Sequence, residues 1–376
     1  MTDFPTYDVV FAMTGDVYRN ARALKQVHSL TRLGLSTLIL AVEGSTSPGG
    51  MPEGVRVRTM PHPPSSGPAF FRDVHRGMSD MMRVVTARQF HASDLYVLTA
   101  SSRRARELGA RLSYDARELY AHVAATAGRP WVSWVWRVVE GRSIRKVDIV
   151  LTVSDHIADH LRDTYGIRRP LVVHNVPDRR LMLPQGIPTL RERLPDIGRA
   201  PLVLHLGQMR ASRGLSHLIH AMGHFPEAHL VFMGYGAYQQ TLIAERDALG
   251  LSDRIHFLCP VAPSEVIAVS RDADIGVTLL EDTCLNHRYA LPNKLFDYFE
   301  AGIPVVASDL PEISAVLETY EAGLTVDPRD HQALGACLAR AVSDRKRLTS
   351  GAERASKALT WEVEEPVFAS AFSELA

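Results

Sequence analysis

Apolar residues fall in short unbroken runs, and the segments between the runs carry helical spacing. Tyr7–Met13, Ser36–Ala41, Leu112–Asp115 and Ile149–Val153 are mostly apolar without alternation, the pattern of strands covered on both faces in a parallel sheet. A helical stretch from about Tyr18 to Leu33, closed by Gly34, joins the first two into a strand–helix–strand unit. Val55–Thr59 reads as a further strand and residues 61–68 as a proline-rich loop. The pattern then predicts one long helix over Phe70–Phe90, a strand over Asp94–Thr99 and a helix over Ser101–Gly109. Ser154 or Asp155 caps a helix that reaches Tyr165, and Leu171–His174 ends this half.

Pro177–Pro201 is rich in proline, charge and turn formers, without a sustained period, and reads as a linker. A second alternation follows at once. Strands are predicted at Pro201–Leu206, Ala228–Met233, Ile255–Leu258, Ile275–Leu279 and Pro304–Ala307, with helices at Leu215–Met222 and Tyr238–Leu249. From about Arg329 the chain is helical to its end. The fold class is therefore α/β, two successive Rossmann-like halves, and 376 residues are too many for one comfortable core.

Composition narrows the partners. The 42 basic and 42 acidic side chains cancel, which gives no support to nucleic-acid binding or to a strong overall attraction to membranes. Cys259, Cys284 and Cys337 lie far apart with no C-x-x-C, so neither a disulfide framework nor a cysteine zinc site is expected. The 16 histidines form no tight ligand set; His156 and His160 share a helix face without a third ligand, and no bound metal is expected. No 18-residue apolar window or signal-peptide pattern occurs, so the expectation is a cytoplasmic protein without a transmembrane segment, peripheral membrane contact staying open.

The chain's chemistry centres on Asn286–Ile313, NHRYALPNKLFDYFEAGIPVVASDLPEI. Pro292 suits the first turn of a helix, so a helix is expected to start at Pro292–Lys294. Leu295, Phe296 and Phe299 then form its buried side. Asn293 and Asp297, four residues apart, share a polar face with Lys294 beside them. Gly302 ends the helix and a buried strand follows. A helix N-terminus with a lysine beside it suits an anion such as a diphosphate. This run resembles the donor-binding segment of retaining glycosyltransferases of the GT-B fold, the glycosyltransferase family 4 group. The family's two acidic residues, eight positions apart, would fall on Tyr289 and Asp297. Asp297 matches the one that binds ribose hydroxyls; Tyr289 departs from the pattern, in the manner of branches that carry an N-x-x-x-x-x-x-P-N-K form. The resemblance implies that Asn286, His287 and Arg288 face the donor sugar.

Other segments extend the resemblance. Leu206–Leu215, LGQMRASRGL, places a glycine turn and a cation just before a helix, where amides and a guanidinium approach phosphate together. It is similar to the family's G-R-x-x-x-x-K-G segment, with Gly207 and Gly214 matching, Arg213 on the diphosphate-binding lysine, and Gln208 in place of arginine, for which Arg210 is a substitute. The bland alternative is a strand–helix turn with solvated arginines. Tyr114–Leu119 resembles the family's D-x-H-E-like segment, with Arg117 at the histidine position. Asp115 as a helix cap, with Arg117 paired to Glu118 or solvent, is the structural alternative. Gly15, Asp16, Arg19, Asp115 and Glu118 are acceptor-side candidates. Gly234-Tyr235-Gly236 is similar to the family's G-x-G turn, and the first strand lacks a G-x-G-x-x-G dinucleotide fingerprint. Trp131 and Trp134, spaced by three with Val135 and Val138, read mainly as a core or domain-packing face, with a membrane-facing or acceptor-binding face as the other reading.

The resemblance implies a GT-B architecture: an N-terminal acceptor-side domain over 1–180, a nucleotide-sugar domain over 181–358, and a C-terminal helix over 359–376 crossing back. It implies transfer of a sugar from a nucleotide-diphosphate sugar to an unidentified acceptor, with retention and without metal or other cofactor. Arg213, Lys294 and Arg117 would be the catalytic cations, with Gly207, Gly214, Asn286, His287, Arg288, Asn293 and Asp297 binding the donor. A nucleotide-sugar 2-epimerase and a non-catalytic binding subunit remain the alternatives.

Overall fold

The computed structural model describes residues 4–42, 51–182 and 186–375. Within these the chain divides into two compact units, one built from residues up to Asn175 together with those from Glu364 on, the other from Val176–Val363. The parts of the expected domains at 1–3, 43–50 and 376, and residues 183–185 of the expected linker, lie outside the described residues.

The first unit is a parallel sheet of seven strands in the order β3-β2-β1-β4-β5-β6-β7. These are β1 (Thr6–Met13), β2 (Thr37–Val42), β3 (Arg56–Met60), β4 (Thr86–Ala92), β5 (Arg111–Ala116), β6 (Ile149–Thr152) and β7 (Leu171–Val172). Helices α1 (Ala21–Arg32), α2 (Gly67–Arg83), α3 (Leu95–Leu108), α4 (Pro130–Ile144) and α5 (Asp155–Tyr165) connect them. The order reverses between β1 and β4, in register from Thr6 opposite Thr86 to Ala12 opposite Ala92. Val9–Met13 are fully buried, as the unbroken apolar run requires.

Two predicted elements are corrected here. The expected helix Phe70–Phe90 is α2 followed by β4, and the expected strand Asp94–Thr99 opens α3. β4 reads TARQFHA, too polar for a central strand by pattern, because its polar side chains are satisfied by distant partners. Gln89 donates to Ser113 Oγ at 2.8 Å and to the Ala371 carbonyl at 3.2 Å, and His91 Nδ1 lies 2.9 Å from the same hydroxyl. Burial pushes the His91 imidazole down to about 4, so it stays neutral between the rings of Phe11 and Phe372. Asp94 is the N-cap of α3, its carboxylate accepting from Val97 N. The cap outweighs the β-branched residues behind it.

Residues from Glu364 on belong to the first unit. Phe368 and Phe372 are fully buried, Glu364 accepts from His174 N at 3.2 Å, and Arg88 donates to the Leu375 carbonyl at 2.8 Å. They lie on α15 (Trp361–Ser370) and just after it; the labels α6 to α14 belong to the second unit.

The second unit is a parallel sheet of six strands in the order β10-β9-β8-β11-β12-β13. They are β8 (Leu202–Leu206), β9 (His229–Met233), β10 (Ile255–Leu258), β11 (Ile275–Thr278), β12 (Val305–Ser308) and β13 (Gly323–Val326). The helices are α6 (Leu190–Arg193), α7 (Leu215–Ala221), α8 (Gln239–Ala248), α9 (Val266–Ser270), α10 (Leu285–Arg288), α11 (Asn293–Glu300), α12 (Pro311–Tyr320), α13 (His331–Ser343) and α14 (Arg345–Ala358). The expected linker is partly structured. A capping box of Thr189 and Glu192 starts α6, Leu190 is fully buried, and Arg191 reaches Asp274 at 2.6 Å. In this sheet the order reverses between β8 and β11.

Candidate functional site

A strand order that reverses leaves a crevice at the carboxyl ends of the strands, which is where open α/β sheets bind ligands. In the second unit that crevice is built from the turn after β8, the segment after β11 and the start of α11. The β8 turn is packed backbone to backbone against the β9 turn. A Cβ on Gly234 would lie 1.9 Å from the Gly207 carbonyl oxygen, so the crossing tolerates no side chain there. Met209 N donates to the Tyr235 carbonyl at 2.8 Å and closes the crossing. Gly214 is the N-cap of α7, and its N–H points to Glu281 Oε1 at 3.3 Å, which ties the loop to the end of β11.

Helix α11 is seated by Tyr298, a side chain the sequence pattern did not single out. Its hydroxyl accepts from Leu206 N at 3.0 Å and lies 2.9 Å from the Leu204 carbonyl and 3.2 Å from that of Val277, spanning β8 and β11. The ring occupies the space above Gly276, where a Cβ would come within 2.4 Å of it. Leu295, Phe296 and Phe299 are buried as expected. The helix begins at Asn293 with Pro292 at its N-cap, and no capping side chain closes its first turn. The turn thus presents N–H groups and the positive end of the dipole.

Lys294, Arg213 and Asp297 come together in this crevice with a fourth residue, His205, from β8. Lys294 Nζ is 3.3 Å from His205 Nε2 and 3.4 Å from Nδ1. Burial first, then Lys294 and Arg213, push the His205 imidazole well below its ordinary value, so it is neutral. Burial and Arg213 likewise drive the Lys294 ammonium well below the usual lysine range, and Asp297 pulls only partly the other way. An anion placed beside the lysine would favour its charged form, which burial and Arg213 disfavour in the free chain. His205 was missed because one polar residue inside an apolar strand has no motif. Its signal was the place: an ionisable side chain one residue from the end of the strand that enters the Gly207 turn.

Other expected donor residues are spread more widely. Asn286, His287 and Arg288 lie on α10, a single helical turn. His287 Nδ1 is 3.1 Å from the Glu281 carbonyl and from Thr283 Oγ1, and Arg288 is exposed with Asp282 at 3.8 Å. Asn293 is exposed beside the cluster and Arg210 is exposed on the turn. Gln208 reaches the Tyr235 hydroxyl at 3.3 Å.

The corresponding crevice of the first unit is filled by its own partners. Thr14 donates to Asp94 Oδ2 through N and Oγ1 at 2.7 and 2.8 Å, joining the ends of β1 and β4. Asp115 is fully buried and caps no helix, correcting that alternative: it lies in β5, takes Arg22 Nε and Nη2 at 2.7 and 2.9 Å, and accepts from Gln26 at 2.8 Å. Burial pushes its carboxyl up, but Arg22 outweighs it and holds the group down at about 2. No helix opens at Arg117; two 3₁₀ turns, Tyr120–His122 and Ala124–Thr126, precede α4. Arg117 Nη2 lies 3.9 Å from Asp94, and Glu118 is exposed. Gly15 forms the turn after β1 with φ of +85°, Asp16 caps the 3₁₀ turn Val17–Arg19 by accepting from Tyr18 N at 2.9 Å, and Arg19 is mostly exposed.

Trp131 and Trp134 do not form a core face. They are 68% and 57% exposed, and it is Trp136 that turns inward, edge-on to Phe71 and Tyr96 at 5.4 and 5.6 Å between centroids. Among the described residues the three cysteines are free, no group of His, Cys, Asp or Glu is arranged to hold a metal ion, and no helix is long and apolar enough to cross a membrane.

Comparisons with known proteins agree with this layout. The family model for glycosyl transferases group 1 matches residues 187–358, and that for the glycosyl transferase 4-like domain matches residues 20–177. A D-inositol 3-phosphate glycosyltransferase of Xylanimonas cellulosilytica is 29% identical over 181 residues, 46% of this chain and 42% of that protein, so less than two thirds of the relative is spanned. Among solved structures, a sucrose-phosphate synthase from Thermosynechococcus elongatus superposes with a TM-score of 0.80 at 16% identity, over 97% of this chain and 98% of that one. Anabaena HepE, solved in complex with UDP-glucose, gives 0.73 at 15% identity, over 98% of this chain and 100% of that one. The fold is that of the GT-B proteins, two Rossmann-like sheets of seven and six strands. With both family models placed in sequence over most of its length, the chain belongs to the group 1 glycosyltransferases with a glycosyltransferase 4-like N-terminal domain.

Proposed function

We propose that this chain transfers a sugar from a nucleoside-diphosphate sugar to an acceptor hydroxyl, with retention of anomeric configuration and without a metal ion. The observation that carries the reading is the meeting of Lys294, Arg213 and neutral His205 at the uncapped start of α11, where burial and Arg213 disfavour the lysine's charge until an anion supplies a counter-charge. A diphosphate leaving group develops negative charge as the glycosidic bond to it breaks, and fixed cations and helix amides stabilise that charge without reorganisation. Arg213 and Lys294 hold the diphosphate; Gly207 and Gly214 shape the turn that approaches it. Asp297, one helical turn along α11 from Asn293, holds the ribose, and Asn286, His287 and Arg288 on α10 face the sugar. The acceptor oxygen adds to the anomeric carbon on the face the diphosphate leaves, and its proton passes to the departing phosphate oxygen. Arg117, at the sheet edge of the first unit, is the third catalytic cation, and Gly15, Asp16, Arg19 and Glu118 are assigned to the acceptor side, while Asp115, buried in its pair with Arg22, supports that edge from within.

The bound nucleotide in the HepE complex makes uridine diphosphate the first probe. A thermal-shift series with uridine, guanosine, adenosine, thymidine and cytidine diphosphates, with and without magnesium, tests the reading. A ligand at a hundred times its dissociation constant adds about 2.7 kcal/mol of stability. Selective stabilisation by one diphosphate, indifferent to magnesium and lost in Lys294→Ala, is expected. No shift from any of the five would favour a non-catalytic subunit, and conversion of a nucleotide sugar to its epimer without acceptor would replace transfer by epimerisation.

A further inference from the structure

We propose that the outward face of α4 docks this chain on an anionic lipid surface. Two independent features meet on that face. The first is apolar: Trp131, Trp134 and Val135 are 68%, 57% and 40% exposed, large side chains that a folded chain ordinarily covers. The second is charge. From Leu119 to Val147 the sequence carries Arg129, Arg137, Arg142, Arg145 and Lys146, and its one acidic residue, Glu140, is buried. Arg129, Arg137, Arg142 and Lys146 are exposed and enter no ion pair among the described residues; Arg145 is engaged with the Tyr165 and Gly141 carbonyls. In a chain of zero formal charge this is local segregation, bounded by the exposed Glu118 and Asp148 at its two ends.

The inner side of α4 fixes which face points outward. Glu140 accepts from the Tyr114 and Tyr165 hydroxyls at 2.8 and 2.7 Å, and Trp136 packs on Phe71 and Tyr96. With that side anchored, Trp131, Trp134, Val135, Val138 and Arg142 fall on the opposite arc at helical spacing, and Lys146 lies in the turn just after α4. Ala124, Ala125, Ala127 and Gly128, which lead into the helix, are exposed and small, so no bulky or acidic neighbour precedes it. Indole rings prefer the boundary between water and hydrocarbon, where an apolar body and an N–H are both satisfied, and arginine and lysine beside them meet lipid phosphates. A protein surface would have to answer both the indoles and the exposed cations around them with carboxylates. A bilayer rich in anionic headgroups supplies that combination everywhere on its surface, so the lipid is the occupant the charges favour.

The proposal is independent of the donor site, and its test reads no transfer. The full chain is sedimented with vesicles of phosphatidylcholine alone and of phosphatidylcholine with about 30% phosphatidylglycerol, and tryptophan emission is recorded on the same samples. Binding at least roughly tenfold tighter to the anionic vesicles, with a blue shift, is expected from several cations near a charged surface. Trp131→Ser with Trp134→Ser should remove the blue shift and most of the binding. Arg142→Glu with Lys146→Glu should abolish the preference for anionic lipid while keeping the tryptophans, and stands alone if the first variant does not fold. Equal or absent binding to the two vesicle types overturns the proposal, as does binding unchanged in both variants. A dimer that the tryptophan variant dissolves also overturns it, by assigning the face to a second copy.

Discussion

Two crevices of the same topology occur in this chain, one at the β1/β4 reversal and one at the β8/β11 reversal, and they differ in how their charges are answered. In the first unit Asp94 and Asp115 are met by Thr14, Arg22 and Gln26 within 2.9 Å, so that edge is closed electrostatically by the fold itself. In the second unit Lys294 faces Arg213 and neutral His205, and Asp297 only partly offsets what burial and Arg213 do to the lysine. The first reversal spends its buried charges on stability, whereas the second brings a lysine and an arginine to the uncapped start of α11. On the proposed function, the same architecture carries a structural role at one reversal and a binding role at the other.

Breaking the closed crevice should give the largest effect. Arg22→Ala leaves the Asp115 carboxylate buried without its cation and should cost about 3–5 kcal/mol, read from urea unfolding at neutral pH. The same measurement on Lys294→Ala should show no loss, or a gain, because the variant removes a disfavoured ammonium. Diphosphate binding inverts that order. Lys294→Ala or Arg213→Ala should each weaken the nucleoside diphosphate chosen by the thermal screen by about 1.5–3 kcal/mol, the worth of a charge-assisted hydrogen bond, with Arg22-independent stability intact.

A third buried charge of the first unit sharpens the contrast. Glu140 has no cation; burial drives its carboxyl from the usual range up to about 7, against the lowering pull of the Tyr165 and Tyr114 hydroxyls. A carboxyl raised in the folded state binds its proton more tightly there than when unfolded. Its contribution is therefore present at low pH and lost as pH rises from about 4.5 to 7, on the order of 3 kcal/mol in all. Glu140→Gln, which cannot ionise, should flatten that segment of the stability profile, and a slope unchanged from the wild type would refute the assignment. The smallest effect belongs to His205→Leu, which removes a neutral partner of the lysine and should weaken diphosphate binding by about 1 kcal/mol, measured by calorimetry.

What the sequence disclosed follows the same division. In the second unit the strands are continuous apolar runs, so Pro201–Leu206 and the start of α11 were legible, and with them the places of Lys294 on that helix and of Arg213 in the turn before α7. β4 was not, because Gln89 and His91 are tolerated only through Ser113 and the Ala371 carbonyl, the latter 282 residues away. His205 and Tyr298 act through neighbours far along the chain, and local pattern does not reveal such contacts. Spacing placed Trp131 and Trp134 on one side of α4, but whether that side faces in or out is decided by Glu140 and Trp136 gripping the opposite side. Helical period alone carries no sign.

The central claim, that Lys294 in the β8/β11 crevice gains its charge from a bound diphosphate, is tested most directly by the proton balance of binding. Titration calorimetry of the selected nucleoside diphosphate in two buffers of different ionisation enthalpy, above neutral pH, measures protons taken up per ligand bound. Because Lys294 is held well below its ordinary value in the free chain, binding should draw in a proton as the anion restores the ammonium, and the affinity should fall by up to about tenfold per pH unit as pH rises. Both effects should vanish in Lys294→Ala. Binding of equal strength in the variant, or binding of the wild type with no proton uptake at any pH, would contradict the account.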